Sequence, residues 1–224
     1  MPRPHLALSV AAGLLLAACG GARAARVTPD NYVMGLDAAR QRAQQDSLRY
    51  PYTQADIDFM SGMIHHHAQA IVMSKWAPSR GASDELLRLT ARIINAQTDE
   101  IALMQAWLEE RNIAPPRLDS LGNVIMDHAM HGMHSAMMPG MLSPEQMDSL
   151  SAARGETFDV LFLQFMIQHH RGAVSMVKEL FASHGAGQNE AIFKFAADVE
   201  VDQTTEIRRM MQMMIQRGVM PVSP

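Results

Sequence analysis

The chain holds one cysteine, Cys19, in 224 residues. An internal disulfide, a zinc ribbon and a CxxC redox site are therefore excluded. Aromatic residues are scarce, at 7 Phe, 3 Tyr and 2 Trp. No block of basic residues offsets the net charge of −4, so no nucleic-acid partner is expected. Catalytic signatures are missing as well: there is no Gly-x-Ser-x-Gly, no His-Glu-x-x-His, no phosphate-binding Gly-rich loop and no dinucleotide fingerprint. What the chain has in excess is 20 Met and 10 His. Hydrophobic residues at 48% against 19% charged exclude disorder along the whole length. A chain of this size buries roughly 70% of its unfolded surface, enough for a core without covalent staples.

Residues 1–18 read as a lipoprotein signal peptide. Arg3 precedes a 13-residue apolar stretch, Leu6 to Ala18, well short of the about 20 residues that cross a bilayer. The stretch ends in Leu16-Ala17-Ala18-Cys19, the pattern of a bacterial lipobox, which makes Cys19 the expected lipidation site. The competing reading is plain secretion after Ala22-Arg23-Ala24, which discards Cys19. In either case the protein is exported. The lipid reading places it in the cell envelope, facing the periplasm or on the cell surface, held to the membrane by lipid alone. Residues 19–50 follow as a tether and a polar helix that Pro51 ends.

Residues 51–224 contain an internal repeat. At an offset of 103, eight of eighteen positions from Asp56 to Met73 match Asp159 to Met176, including Asp56/Asp159, Met63/Met166, His66/His169, His67/His170 and Met73/Met176. At an offset of 106, Gln97, Glu100, Ile101 and Met104 meet Gln203, Glu206, Ile207 and Met210. Asn112 and Gly218, each followed by a Pro three residues on, mark equivalent helix ends. Apolar periodicity is helical throughout. The expected fold is all-α: a ferritin-like four-helix bundle made from two αα-hairpins, residues 53–115 and 155–221, with extra short helices. Residues 116–154 join them through a Met/His-rich segment. Thr53-x-x-Asp56 and Ser143-Pro144-Glu145-Gln146 are expected helix starts.

On a helical wheel, Asp56, Phe59, Met63, His66, His67, Ala70 and Met73 fall within about 100° of one another, while His65 points to the far side, a surface position. Burying two adjacent histidines on two matching helices requires partners for them. Two readings stand: His66 and His169 as core polar groups hydrogen-bonded to Glu206, Glu100 or a Gln, or metal ligands flanked by Met. For a metal, the spacing decides its kind. Ferritin-like di-iron sites use Glu-x-x-His, whereas here Met63-x-x-His66 and Met166-x-x-His169 put soft sulfur in that place. Thioether favours Cu(I), so copper is expected ahead of iron. Glu100 and Glu206 are secondary ligand candidates. Between the hairpins, residues 126–141 hold six Met and three His. His128, His131, His134, Met130 and Met133 there form either a soft-metal tract or, with Met126 and Met137, the packing stripe of a short helix.

Met138-Pro-Gly-Met-Leu-Ser-Pro-Glu-Gln-Met147, Phe158-Asp159 and Met166-Ile-Gln-His-His-Arg-Gly-Ala-Val-Ser-Met176 resemble the family called domain of unknown function 305, as does Met63-Ile-His-His-His67. The resemblance spans roughly residues 50–221. It implies a ferritin-like fold and an exported bacterial protein, in a family that includes periplasmic copper-binding proteins. It also implies metal roles for Met63, His66, His67, Met73, Met166, His169, His170 and Met176. Gly172 departs from its counterpart Gln69, so the halves need not bind equally. The expected function is copper buffering, carriage or tolerance. The rivals are a metal oxidase acting on Cu(I) or Fe(II) and a structural envelope protein with a Met-rich core. Neither enzymatic turnover nor oligomeric state follows from the residues.

Overall fold

The computed structural model describes residues 34–119 and 138–220; the lipobox, Cys19, and the His128, Met130, His131, Met133 and His134 tract lie outside them. Six α-helices run in order: α1 (Gly35–Arg49), α2 (Gln54–Trp76), α3 (Asp84–Glu110), α4 (Pro144–Ala152), α5 (Gly155–Ala182) and α6 (Glu190–Gln216). A short 3-10 turn, Ala77–Arg80, joins α2 to α3. Helices α2 and α3 pair as one hairpin, α5 and α6 as the other, and α2 packs on α5 to join them. Helix α1 lies on α3. The architecture is the expected all-α bundle. Among the described residues no helix is long and apolar enough to cross a membrane.

Local chemistry sets the helix boundaries. Thr53 accepts from the Asp56 backbone N–H and Asp56 accepts from that of Thr53, a complete capping box at the start of α2. Ser143 and Gln146 do the same for α4, with Pro144 in its first turn. Ser83 and Asn189 cap α3 and α6 through their side-chain oxygens. The two hairpins also end alike. Asn112 (φ 58°) and Gly218 (φ 73°) are left-handed, and the N–H groups of Ile113 and Val219 reach back to Leu108 and Met214, both at 3.0 Å. This six-to-one closure satisfies carbonyls that the helix leaves open.

The repeated Asp residues join the hairpins. Buried Asp56 accepts from Thr53 N and Oγ1 at 2.7 and 2.9 Å, and from Gly187 N in the α5–α6 loop at 2.7 Å. Asp159 accepts from Ser83 N at 3.2 Å, in the α2–α3 loop, and from Arg217 Nη2 at 3.3 Å. Each half thus anchors the loop of the other. Both carboxylates are thereby occupied by backbone, hydroxyl and guanidinium donors.

The apolar core divides in two. One cluster gathers Phe59, Met63, Met104, Met176, Phe195 and neighbours; the other gathers Met73, Ile93, Phe162, Met166, Met210 and neighbours. In sequence, the buried polar residues His66, Gln97, His169 and Gln203 fall at the middle of α2, α3, α5 and α6. A polar layer therefore separates two methionine-rich ends.

Candidate metal centre

The layer is built on the two His-His pairs. His66, His67, His169 and His170 are each 0% exposed. The His66 and His169 rings meet where α2 crosses α5, with centroids 3.8 Å apart and planes tilted by 42°. Consecutive side chains on a helix diverge by about 100°, and accordingly His67 and His170 stand 6.5 and 6.3 Å from their neighbours. Each turns instead to the second helix of its own hairpin. His67 Nε2 lies 2.7 Å from Glu100 Oε2, and His170 Nε2 lies 2.7 Å from Glu206 Oε2. Only the His170 contact has hydrogen-bond alignment; at His67 the carboxylate sits off the ring N–H direction.

Glu100 and Glu206 are about one-fifth exposed, at 20% and 21%, so their charges keep contact with water. Arg92 Nη2 of α3 approaches Glu206 Oε1 at 4.0 Å. Burial, then the charges of Glu100, Asp198 and Glu206, holds the Asp202 carboxyl above its ordinary range. One turn before each Glu, Gln97 and Gln203 are buried with Oε1 unpaired.

Burial drives the His66 imidazole down to about 3, helped by repulsion from His67 and opposed by the hydrogen bond with the Pro139 carbonyl. His169 is likewise held well below its usual value, by burial first and then by His66. Both rings are neutral at physiological pH, the state in which imidazole is a ligand. Their nitrogens are poorly served. Nδ1 of all four histidines and Nε2 of His67 and His169 have no hydrogen-bond partner. Leaving one such buried polar atom unpaired costs about 1–3 kcal/mol, and six of them call for a function.

All four thioethers expected as ligands are buried, but in two groups. Met63 and Met176 belong to one apolar cluster, Met73 and Met166 to the other. Their sequence order places them on either side of the His66–His169 contact, in antiparallel register. Among the described residues no three His, Cys, Asp or Glu side chains converge as a ready-made metal site. The arrangement is instead two close imidazoles, two His–Glu pairs and sulfur on both sides.

A segment that the sequence offers only as the end of the Met/His-rich tract and the start of the family motif closes this layer. Residues 138–142 cross α5, and the Pro139 carbonyl lies 3.0 Å from His66 Nε2. A Cβ on Gly172 would overlap that carbonyl and approach Gly140 Cα to 2.6 Å, so only glycine admits the strap. Gly140 itself is left-handed, with φ +77°. Opposite Gly172, Gln69 pins the strap to α2 by exchanging two hydrogen bonds with Leu142, at 2.8 and 3.2 Å. The Gln69/Gly172 difference between the repeats, visible in the sequence, is the docking site of this strap. Met138 packs on the Met63–Met176 cluster, its sulfur beside Gly62.

His65 corrects a sequence expectation. It was placed on the surface by the wheel, yet it is only 6% exposed. Burial lowers its basicity, opposed by the charge of Asp119, which follows α3. A wheel describes one helix and takes no account of chain that covers its outer side. Its counterpart Gln168 is also engaged, reaching the Gly140 carbonyl at 3.4 Å and Gln146 at 3.1 Å.

Fold and centre together define a class: an antiparallel bundle of duplicated helical hairpins with paired, neutral, buried imidazoles between methionine-rich ends. The chain belongs to the domain of unknown function 305 (DUF305) family, whose pattern matches residues 56–214. A DUF305 protein of Streptomyces coelicolor, described as secreted, is 29% identical with a TM-score of 0.62 over 76% of this chain and 98% of its own. A DUF305 fragment from Deinococcus radiodurans is 26% identical, TM-score 0.60, over 74% of this chain and 98% of its own. CopM in its Cu(I)-bound form is 26% identical, TM-score 0.53, over 72% and 96%; CopM is also known in Cu(II)-bound, Ag-bound and apo forms. An uncharacterised protein of Acanthamoeba polyphaga mimivirus is 42% identical over 64 residues, a match that spans 42% of that protein's length.

Proposed function

We propose that this protein is exported, anchored by lipid on Cys19, and binds copper for buffering, carriage or tolerance. The observation that carries the copper reading is the set of six buried ring nitrogens without a hydrogen-bond partner. Neutral imidazole with thioether close by in the fold suits Cu(I), which accepts few ligands and prefers soft ones. CopM, similar in fold, is known with Cu(I), Cu(II) and silver bound, and this supports the reading. Met63, His66, His67, Met73, Met166, His169, His170 and Met176 are the proposed ligand pool, with residues 126–141 as a secondary tract. Export is supported by the relative described as secreted and by the lipobox. Stable anchoring requires more than one acyl chain, as bacterial lipoproteins carry.

Metal analysis of the mature protein from the envelope fraction tests this reading. Copper retained through stringent purification is the expected result. No metal retained points to a structural envelope protein, and steady oxygen uptake with Cu(I) or Fe(II) points to an oxidase. Cys19→Ser is expected to release the protein from membranes; a wild-type protein that is wholly soluble, beginning beyond residue 19, removes the lipid anchor.

A further inference from the structure

The polar layer meets the outside on two sides, which are built differently. On one, residues 138–142 lie over α5 and the Pro139 carbonyl engages His66 Nε2. On the other, α3 and α6 each pack on their hairpin partner and make little contact with each other. Charged side chains line their seam. Arg92 Nη2 of α3 reaches across to Glu206 Oε1 of α6 at 4.0 Å. Asp202 of α6 is exposed, and burial of its near side, then the charges of Glu100, Asp198 and Glu206, holds its carboxyl above the ordinary range. At the repeat offset of 106, Arg92 has Asp198 as its counterpart, so the cation is not duplicated. Behind the carboxylates stand polar atoms without partners. His67, 0% exposed, has Nε2 2.7 Å from Glu100 Oε2 and no hydrogen bond at either ring nitrogen. Gln97 and Gln203, buried one turn before the two glutamates, have Oε1 unpaired. Glu100 and Glu206 keep about one-fifth exposure, at 20% and 21%. A run of polar atoms thus leads from water through carboxylate to buried imidazole.

We propose that the α3–α6 seam is the entrance by which a soft monovalent cation reaches the buried imidazoles, with Glu100, Asp202 and Glu206 attracting it and Arg92 opposing it. This entrance rests on the copper reading and adds to it the side of the bundle from which metal arrives. Carboxylate oxygen is hard, whereas the imidazole and thioether further in are softer. The carboxylates therefore draw a soft cation in without competing for it. Among the described residues no three His, Cys, Asp or Glu converge to trap it on the way. A cleft lined by one sign of charge raises the local concentration of the opposite ion and its rate of arrival. The rival route is a cavity of about 470 Å³ on the strap side, bounded by Pro139, Gly140, Gln168 and Gly172. Its lining includes Arg171 and neither Asp nor Glu, which disfavours a cation.

The test is quenched-flow uptake of Ag(I) by the mature protein. It is mixed with the cation in dilute sodium nitrate, stopped with excess competing chelator, and the retained silver is counted. One unit charge about 7 Å from the path changes the local cation concentration about threefold in water. Asp202→Asn is therefore expected to slow uptake about threefold and Arg92→Gln to speed it about threefold, with the final silver content unchanged. Asp148→Asn, the same charge change on α4, is expected to leave the rate as it is. In about 1 M nitrate, where the Debye length is about 3 Å, the differences are expected to vanish. Opposite shifts at two surface positions are not what a loss of stability produces. Equal rates for wild type, Asp202→Asn and Arg92→Gln at low salt, with silver still retained, overturn the entrance and leave the copper reading standing. Equal slowing by Asp148→Asn does the same, since it makes the effect one of net charge. Acceleration by Arg171→Gln in place of Arg92→Gln moves entry to the strap side and also overturns it. A wild type that retains no silver, or loses it when residues 126–137 are deleted, overturns both readings.

Discussion

The two hairpins repeat one plan, and a single strap meets them differently. Positions shared between α2–α3 and α5–α6 build the polar layer and the cross-hairpin anchors: the His-His pairs, Glu100 and Glu206, Gln97 and Gln203, Asp56 and Asp159. Two of the positions that differ, Gln69/Gly172 and His65/Gln168, lie against residues 138–142 or beside Asp119. Gln69 binds the strap and Gly172 makes room for it; Gln168 contacts it while His65 is covered elsewhere. Even the equivalent His66 and His169 are unequal, since only His66 is held by Pro139. Duplication supplies a symmetric centre, and one unduplicated segment makes it asymmetric.

The largest effect expected is on acid stability. His66 and His169 remain neutral in the fold but take up protons once unfolded, near their ordinary value of about 6.5. Stability of the apo protein is therefore full above that pH and falls as pH drops below it. The folding constant loses about tenfold per pH unit for each histidine. For His66 this decline levels off as pH nears about 3. Chemical denaturation as a function of pH checks this. Replacing either His66 or His169 with Gln is expected to lower the slope between pH 6 and 4 by about one tenfold step per pH unit, and an unchanged slope contradicts the neutral pair.

Next comes the strap. Gly172→Ala forces the Pro139 carbonyl away, and overpacking of this kind costs about 1–3 kcal/mol. Gln69→Gly, the reciprocal exchange, loses two hydrogen bonds at about 1 kcal/mol each. Urea denaturation ranks the two. If Gly172→Ala is neutral, the strap is not seated as described.

A smaller difference separates the anchors. Asp56→Ala removes three short contacts at 2.7–2.9 Å, and Asp159→Ala removes longer ones at 3.2–3.3 Å. Hydrogen bonds to a charged group contribute about 1.5–3 kcal/mol, so Asp56→Ala is expected to exceed Asp159→Ala by about 1 kcal/mol in thermal or urea unfolding. Equal losses would mean that the two loops are held alike.

Much of this was legible before any coordinates. Repeat offsets and helical period located the bundle and the inward histidines, because those features depend on spacing along one helix; the glutamates, expected at His66 and His169, stand instead at His67 and His170. The Ser143 and Thr53 helix starts were legible as capping chemistry. The strap was not, since the contact of Pro139 with His66 and Gly172 joins residues far apart in sequence. Its one trace was Gly172 facing Gln69 in the repeat. Covering of His65 was invisible for the same reason. Whether the methionines reach the histidines depends on side-chain direction at both ends of the layer, and spacing alone does not report that.

The central claim is that the bundle histidines, rather than the tract between the hairpins, form the principal copper site. Titration of mature protein with Cu(I) against a competing chelator, at fixed pH, tests it most directly. Deleting residues 126–137, which spares the strap at 138–142, is expected to lower the stoichiometry and leave the tightest binding intact, while His66→Ala with His169→Ala abolishes that tightest class. Loss of all tight binding on the deletion, with the His66/His169 variant unaffected, would contradict the account and return the buried imidazoles to a structural role.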